Sequence, residues 1–157
     1  AVELLKKNNF NISKKHIKKG IEEVQSLTGL KGRWQILRKN PLAIADTGHN
    51  EAGIKEVLKQ IKEIPHRKLH FVLGVVNDKD ISKILKLLPK TALYYFCKAN
   101  IPRGLEVKEL INKATEAGLA GEGFNSVKEA YTVARKAAHK KDLVFVGGST
   151  FVVAEVI

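Results

Sequence analysis

The sequence predicts an α/β protein of Rossmann-like architecture, a mostly parallel sheet with helices on both faces. Three observations carry that expectation. Beyond Lys31, strand-like and helix-like segments alternate along the chain. The runs 69–76 and 143–146 are almost continuously apolar, the pattern of strands covered on both faces. The joints that follow the strand-like segments are the most polar and glycine-containing stretches of this region, as expected where such sheets bind ligands.

Taken in order, residues 13–27 form a lysine-rich helix, with Ile17, Ile21, Val24 and Leu27 at helical spacing, Ser13 as N-cap and Gly20 as a weak point. Thr28-Gly29-Leu30-Lys31-Gly32 breaks the pattern with two glycines and sets a boundary, leaving 1–30 as a helical appendage and 31–157 as the main domain. Residues 34–37 and 43–46 read as short strands around an Asn40-Pro41 turn. A helix over 50–63 follows, with Ile54, Val57, Leu58 and Ile61 on one face. Next come a strand over 69–76, a helix over 80–88, a strand over 92–97 and a helix over 106–117. A helix over 126–139 and a strand over 143–146 complete the regular part. The last segment is ambiguous: Phe151, Val152 and Val153 favour a strand, whereas Gly147-Gly148-Ser149 reads as a strand-to-helix turn capped by Ser149.

Composition bounds the partners. With 157 residues, 44% hydrophobic and 28% charged, the chain can bury a sizeable core and is neither disordered nor fibrous. A net charge of +12 favours anionic partners without choosing among nucleotides, acidic substrates and nucleic acid. No apolar run reaches the roughly 18 residues that span a bilayer, and the start lacks signal-peptide order, so the expected location is cytoplasmic. The single cysteine, Cys97, excludes an internal disulfide framework and fits a small core residue. There is no methionine, hence no initiator, and the chain reads as an excised segment.

The strand-end joints are Asp46-Thr47-Gly48-His49-Asn50, Asn77-Asp78-Lys79-Asp80, residues 98–103 and Gly147-Gly148-Ser149. Asp-Thr-Gly occurs in aspartic proteases, but those are all-β, whereas here an amphipathic helix follows at once. Read as strand, turn and helix start, Asp46 can accept from a ribose hydroxyl, and His49 and Asn50 can bond a base or sugar. Alternatively Asp46 or Asn50 merely caps the helix. The glycine turn at 147–149 either offers N–H groups and a hydroxyl to an anion or simply closes a buried strand. No G-x-x-x-x-G-K-[ST] or strand-linked G-x-G-x-x-G occurs. Histidines 16, 49, 66, 70 and 139 form no metal-ligand pattern, and the lysines read mostly as solvated surface.

Five blocks in order carry a resemblance. They are Gly32-Arg33-Trp34-Gln35, Asp46-Thr47-Gly48-His49-Asn50, Gly74 through Asn77-Asp78-Lys79-Asp80, Pro102-Arg103, and Gly147-Gly148-Ser149-Thr150-Phe151 with Val153-Ala154-Glu155-Val156. The series resembles the C-terminal domain of folylpolyglutamate synthase and its bifunctional dihydrofolate synthase relatives, in the Mur ligase superfamily, with residues 1–30 similar to the end of the family's central ATPase domain.

The resemblance implies ATP-dependent amide formation in folate and one-carbon metabolism. A folate or dihydropteroate carboxylate becomes an acyl phosphate and the amine of L-glutamate attacks it. Mg²⁺ ligands and the phosphate loop belong to the family's central domain, so this chain alone is expected to be inactive and to form the other wall of the cleft. Arg33 matches an arginine approaching the ATP phosphates, and Asp46, His49 and Asn50 match the nucleotide's ribose and adenine side. Lys79 and Ser149 match contacts to the glutamate carboxylates. Neither nucleic acid nor membrane is an expected partner. The family usually has Asp-Gly-Ala-His-Asn-Pro, so Thr47, Gly48 and Glu51 are substitutions, and Arg-Ala is usual where Arg103-Gly104 stands. The alternatives are a peptidoglycan-precursor Mur ligase, which shares the fold and the Asp, His and Asn positions, and a stand-alone nucleic-acid-binding module supported only by charge.

Overall fold

The computed structural model describes residues 1–77 and 81–157, and the chain divides into two compact units, Ala1–Lys31 and Gly32–Ile157. The first holds three short helices, α1 (Val2–Lys7), α2 (Lys14–Glu22) and α3 (Val24–Thr28), none of which buries a residue. Ser13 caps α2 as expected, its side chain accepting from His16 N. The single helix expected over 13–27 is instead two: it breaks at Glu23 (φ −106°, ψ 17°), three residues beyond Gly20, and ends at Gly29 in the left-handed conformation.

The second unit carries a six-stranded sheet. Its elements are β1 (Gln35–Lys39), β2 (Leu42–Ala45), α4 (Glu51–Glu63), β3 (Leu69–Leu73), α5 (Ser82–Leu87), β4 (Leu93–Cys97), α6 (Val107–Glu116), β5 (Gly121–Phe124), α7 (Val127–Ala137), β6 (Leu143–Gly147) and α8 (Thr150–Ala154). The strand order is β1-β2-β6-β3-β4-β5, antiparallel at β1–β2 and parallel elsewhere. The helix start expected at Asp80 lies outside the described residues.

Period-two alternation distributes the core. Ile44, Phe71, Tyr94, Phe96 and Phe145 face α4, α5 and α6, and each such side chain contributes roughly 1.5–3 kcal/mol by burial. Val72, Tyr95, Cys97, Val144 and Val146 face α7 and α8. Cys97 is a core residue, as its place at the end of an apolar strand suggested, and burial with the nearby Glu155 charge pushes its thiol up to about 12. The closing segment resolves as helix: Ser149 accepts from Phe151 N and starts α8, so the glycine turn prevails over the β-preference of Phe151-Val152-Val153.

One strand has no counterpart in the sequence reading. β5 is Gly-Glu-Gly-Phe and mostly exposed, so it has neither an apolar run nor clear alternation. Its glycines are dictated by tertiary contact, since a Cβ on Gly121 would lie 2.5 Å from Tyr94 Cβ, and one on Gly123 2.7 Å from Val107 Cγ1.

Candidate functional site

Because β6 lies between β2 and β3, the turns leaving the carboxyl ends of these three strands share one rim. They line a cleft of about 340 Å³ that includes His49, Val75, Arg103, Ser149 and Phe151. Such a volume lies in the range of small-ligand pockets.

The turn after β2 is held by one carboxylate. Asp46 is buried, and its Oδ1 accepts from Gly48 N at 2.8 Å while its Oδ2 accepts from Trp34 N at 2.7 Å. Thr47 N donates to Gly32 O at 2.9 Å. The 32–34 turn is thus strapped to the 46–48 turn, with Arg33 exposed between Gly32 (φ 74°) and Trp34 (φ 43°). A tryptophan in the left-handed region costs on the order of 1–3 kcal/mol. The Asp46 bond and the Trp34 ring beside Phe145, 6.2 Å between centroids, hold it there. Each Asp46 oxygen keeps acceptor capacity for a further hydroxyl.

His49 is exposed at the cleft edge. Its Nδ1 lies 3.0 Å from Thr47 O, and since a carbonyl can only accept, Nδ1 carries the proton and Nε2 remains for a ligand. Asn50, rather than Asp46, is the helix cap: its Oδ1 accepts from Gly53 N at 2.8 Å, a cap worth about 1 kcal/mol. Its amide nitrogen stays exposed with the residue.

Ser149 lines the cleft but is itself buried, its Oγ accepting from Phe151 N at 3.2 Å. Gly148 before it has φ 95°, and a Cβ there would lie 2.6 Å from Gly74 O, so only glycine lets β6 turn this close to β3. Lys79 lies outside the described residues. The structure therefore places His49 and Ser149 on the cleft, Asp46 beneath its β2 side, and Arg33 and Asn50 on the flanking turns outside its lining.

Arg103 lines the same cleft, although its sequence motif assigned it no contact. The loops after β3 and β4 are zipped by Asn77 N to Arg103 O at 3.0 Å and Leu105 N to Val75 O at 3.0 Å. The Arg103 guanidinium lies over the Phe151 ring, 4.8 Å from its centroid. The available signal was its position just after an apolar strand. Its neighbour Gly104 is built into this loop, because a Cβ there would lie 2.7 Å from Ala99 O. The rim as a whole offers a guanidinium, an imidazole, a hydroxyl and a pinned carboxylate over apolar walls, which suits a ligand bearing both anionic and hydroxyl groups. Among the described residues no group of three or more His, Cys, Asp or Glu side chains could hold a metal ion, and no helix is long and apolar enough to cross a membrane.

Comparison with known proteins identifies relatives of the chain and of its fold. The family model described as Mur ligase, glutamate ligase domain, matches residues 32–150. A probable bifunctional folylpolyglutamate synthase/dihydropteroate synthase of Haloferax volcanii is 35% identical over 126 residues, which cover 79% of this chain and 15% of that protein. The dihydrofolate synthase/folylpolyglutamate synthase of Escherichia coli is 29% identical over 159 residues, covering 100% of this chain and 36% of that one. Among solved structures, the bifunctional folylpolyglutamate synthase/dihydrofolate synthase of Yersinia pestis, complexed with AMPPNP and Mn ion, superposes with a TM-score of 0.82. It is 26% identical, with 99% of this chain and 36% of that one covered. The chain therefore spans little more than a third of the length of these relatives, or less.

Proposed function

The chain belongs to the Mur ligase glutamate ligase domain family, and from that premise we propose that it is the C-terminal domain of an ATP-dependent ligase that adds L-glutamate to folates, folylpolyglutamate synthase with or without dihydrofolate synthase activity. The observation that carries this reading is the Asp46 carboxylate, which clamps the strained turn bearing Arg33 to the turn bearing His49. Strain held in place at a strand-end rim supports a ligand-binding role for this turn.

In this reading ATP supplies the phosphoryl group that turns a folate or dihydropteroate carboxylate into an acyl phosphate, and the glutamate amine displaces phosphate from it. Arg33 takes the nucleotide phosphates through its planar, permanently charged fork. Asp46 accepts from the ribose with the capacity its backbone bonds leave, and His49 Nε2 and the Asn50 amide serve the adenine side. Arg103 and Ser149, which share the cleft, hold carboxylates of the incoming glutamate, with Lys79 in the same role. Mg²⁺ would be ligated by residues outside this chain, and residues 1–30 would be the end of the preceding ATPase domain. Docking of that domain over the rim excludes water from the acyl phosphate. A cytoplasmic location is part of the same reading.

The test is ATP-dependent ligation of labelled glutamate by the full-length protein, offered dihydropteroate and tetrahydrofolate separately. Transfer to either is expected, and Arg33→Ala and Asp46→Ala should lower kcat/KM for ATP by tenfold or more. Product only with a peptidoglycan precursor would move the protein to that sister branch, and wild-type ATP kinetics in both variants would remove the two residues from the site.

A further inference from the structure

The opposite rim of the sheet, at the amino-terminal ends of the parallel strands, is also hollow and basic. A second cavity of about 380 Å³ opens there. Its floor is apolar, formed by Leu58 and Ile61 of α4 together with Leu69 at the start of β3, and its mouth carries Lys62, Arg67 and Lys68. No carboxylate lines it, and among the described residues neither Lys62 nor Lys68 is in an ion pair.

These cations are mounted on fixed backbone. Arg67 N donates to Lys141 O and Leu143 N to Lys68 O, both at 2.9 Å, which ties the segment before β3 to the segment before β6. The Arg67 side chain is aimed by a buried acid: its Nε donates to Oδ1 of Asp142 at 3.2 Å. Burial raises the Asp142 carboxyl, but hydrogen bonds from His139 N–H, His70 and Arg67 outweigh it and hold the group at about 2, ionised at neutral pH. That contact uses one of five guanidinium donors and leaves the others available. His66 beside it is fixed too, its Nδ1 donating to Ile64 O at 2.7 Å. Three cations at one mouth, with no carboxylate in the lining, favour an anion there.

We propose that this hollow is a second binding site, for a small organic anion whose carboxylate or phosphate group meets Arg67, Lys62 and Lys68 while its apolar body lies on Leu58, Ile61 and Leu69. The site stands on its own geometry, with neither the nucleotide rim nor the ligase reading as a premise. A concave apolar floor with a few convergent polar groups, in the size range of small-molecule pockets, favours such a ligand over an extended polyanion.

The experiment titrates the 157-residue chain with 1-naphthyl phosphate and 1-naphthoate, followed by amide chemical shifts, with uncharged 1-naphthalenemethanol and inorganic phosphate as the two halves of the ligand. Expected are saturable shifts at 58–69 and 87–91 with either aromatic anion, and much weaker ones with either half alone. The double variant Lys62→Glu/Lys68→Glu, both positions exposed, should keep the melting temperature and lose affinity at least tenfold. Phosphate-only or carboxylate-only binding with this pattern supports the site and names its head group. Shifts confined to 49, 103 and 148–151, undiminished affinity in the double variant, equal binding of the alcohol, or no binding by either anion overturns it.

Discussion

At the residue scale, two buried aspartates organise the two ends of the sheet. Asp46 pins the turn at the carboxyl rim and Asp142 the turn at the amino rim, where His70 Nε2 lies 3.3 Å from its Oδ2 and His70 Nδ1 lies 2.9 Å from the Tyr95 hydroxyl. Because the folded-state value of Asp142 lies below the ordinary carboxylate value, its ionised form stabilises the fold. That stability is fully present above about pH 4 and is lost as the pH falls towards 2. Asp142→Asn keeps the shape but removes the charge-assisted acceptor, and should cost roughly 2 kcal/mol at pH 7. Urea midpoints measured from pH 7 downward should show the gap between wild type and variant narrowing between pH 4 and pH 2. A gap that stays constant over that window would show that the charge contributes nothing. The two aspartates also differ in how far the sequence disclosed them. Asp46 stood out because it ends a strand-like run beside His49. Its partner Trp34 N did not, because that contact depends on the pairing of β1 with β2 and on a left-handed tryptophan that no local preference announces.

At the scale of elements, what was readable follows from burial. β3 and β6 are buried at every position and read as nearly continuous apolar runs, while α4, α6 and α7 bury one face each and read at helical period. β5 was invisible for the converse reason: at the sheet edge it keeps three of four residues exposed, and its glycines answer to Tyr94, Val107 and Ile111 rather than to any pattern along the chain. This predicts that Gly123→Val destabilises the protein although Val is the better strand former. Its Cβ would fall 2.7 and 2.8 Å from Val107 Cγ1 and Ile111 Cδ1, so these side chains must shift or the packing of α6 on β5 must open. A loss of about 1–3 kcal/mol in denaturant unfolding is expected. A neutral or stabilising result would mean that α6 gives way freely. The same logic covers the break at Glu23: in helices that bury nothing, spacing alone does not fix where a helix ends.

At the scale of the whole molecule, every buried hydrophobic residue lies between Ala43 and Val153, in the unit Gly32–Ile157, while α1, α2 and α3 contribute none. The large exposed apolar side chains of the first unit include Leu4, Phe10, Ile21 and Leu27. The hydrophobic contribution to stability therefore resides in the sheet and its own helices, and residues 1–31 add little beyond the Ser13 cap, which stabilises its own helix, and exposed ion pairs worth a few tenths of a kcal/mol each. A chain of residues 32–157 should consequently fold by itself, with a single cooperative transition. A loss below about 1 kcal/mol corresponds to a fall in Tm of less than roughly 4 °C for a domain of this size. It should also be the more soluble species, because exposed apolar side chains of short, marginal helices are where chains associate. Calorimetry and light scattering on the two lengths decide this: a drop of 15 °C or a broadened transition would show that residues 1–31 complete the core, whereas matching transitions with less self-association would assign their apolar faces to contacts outside this domain.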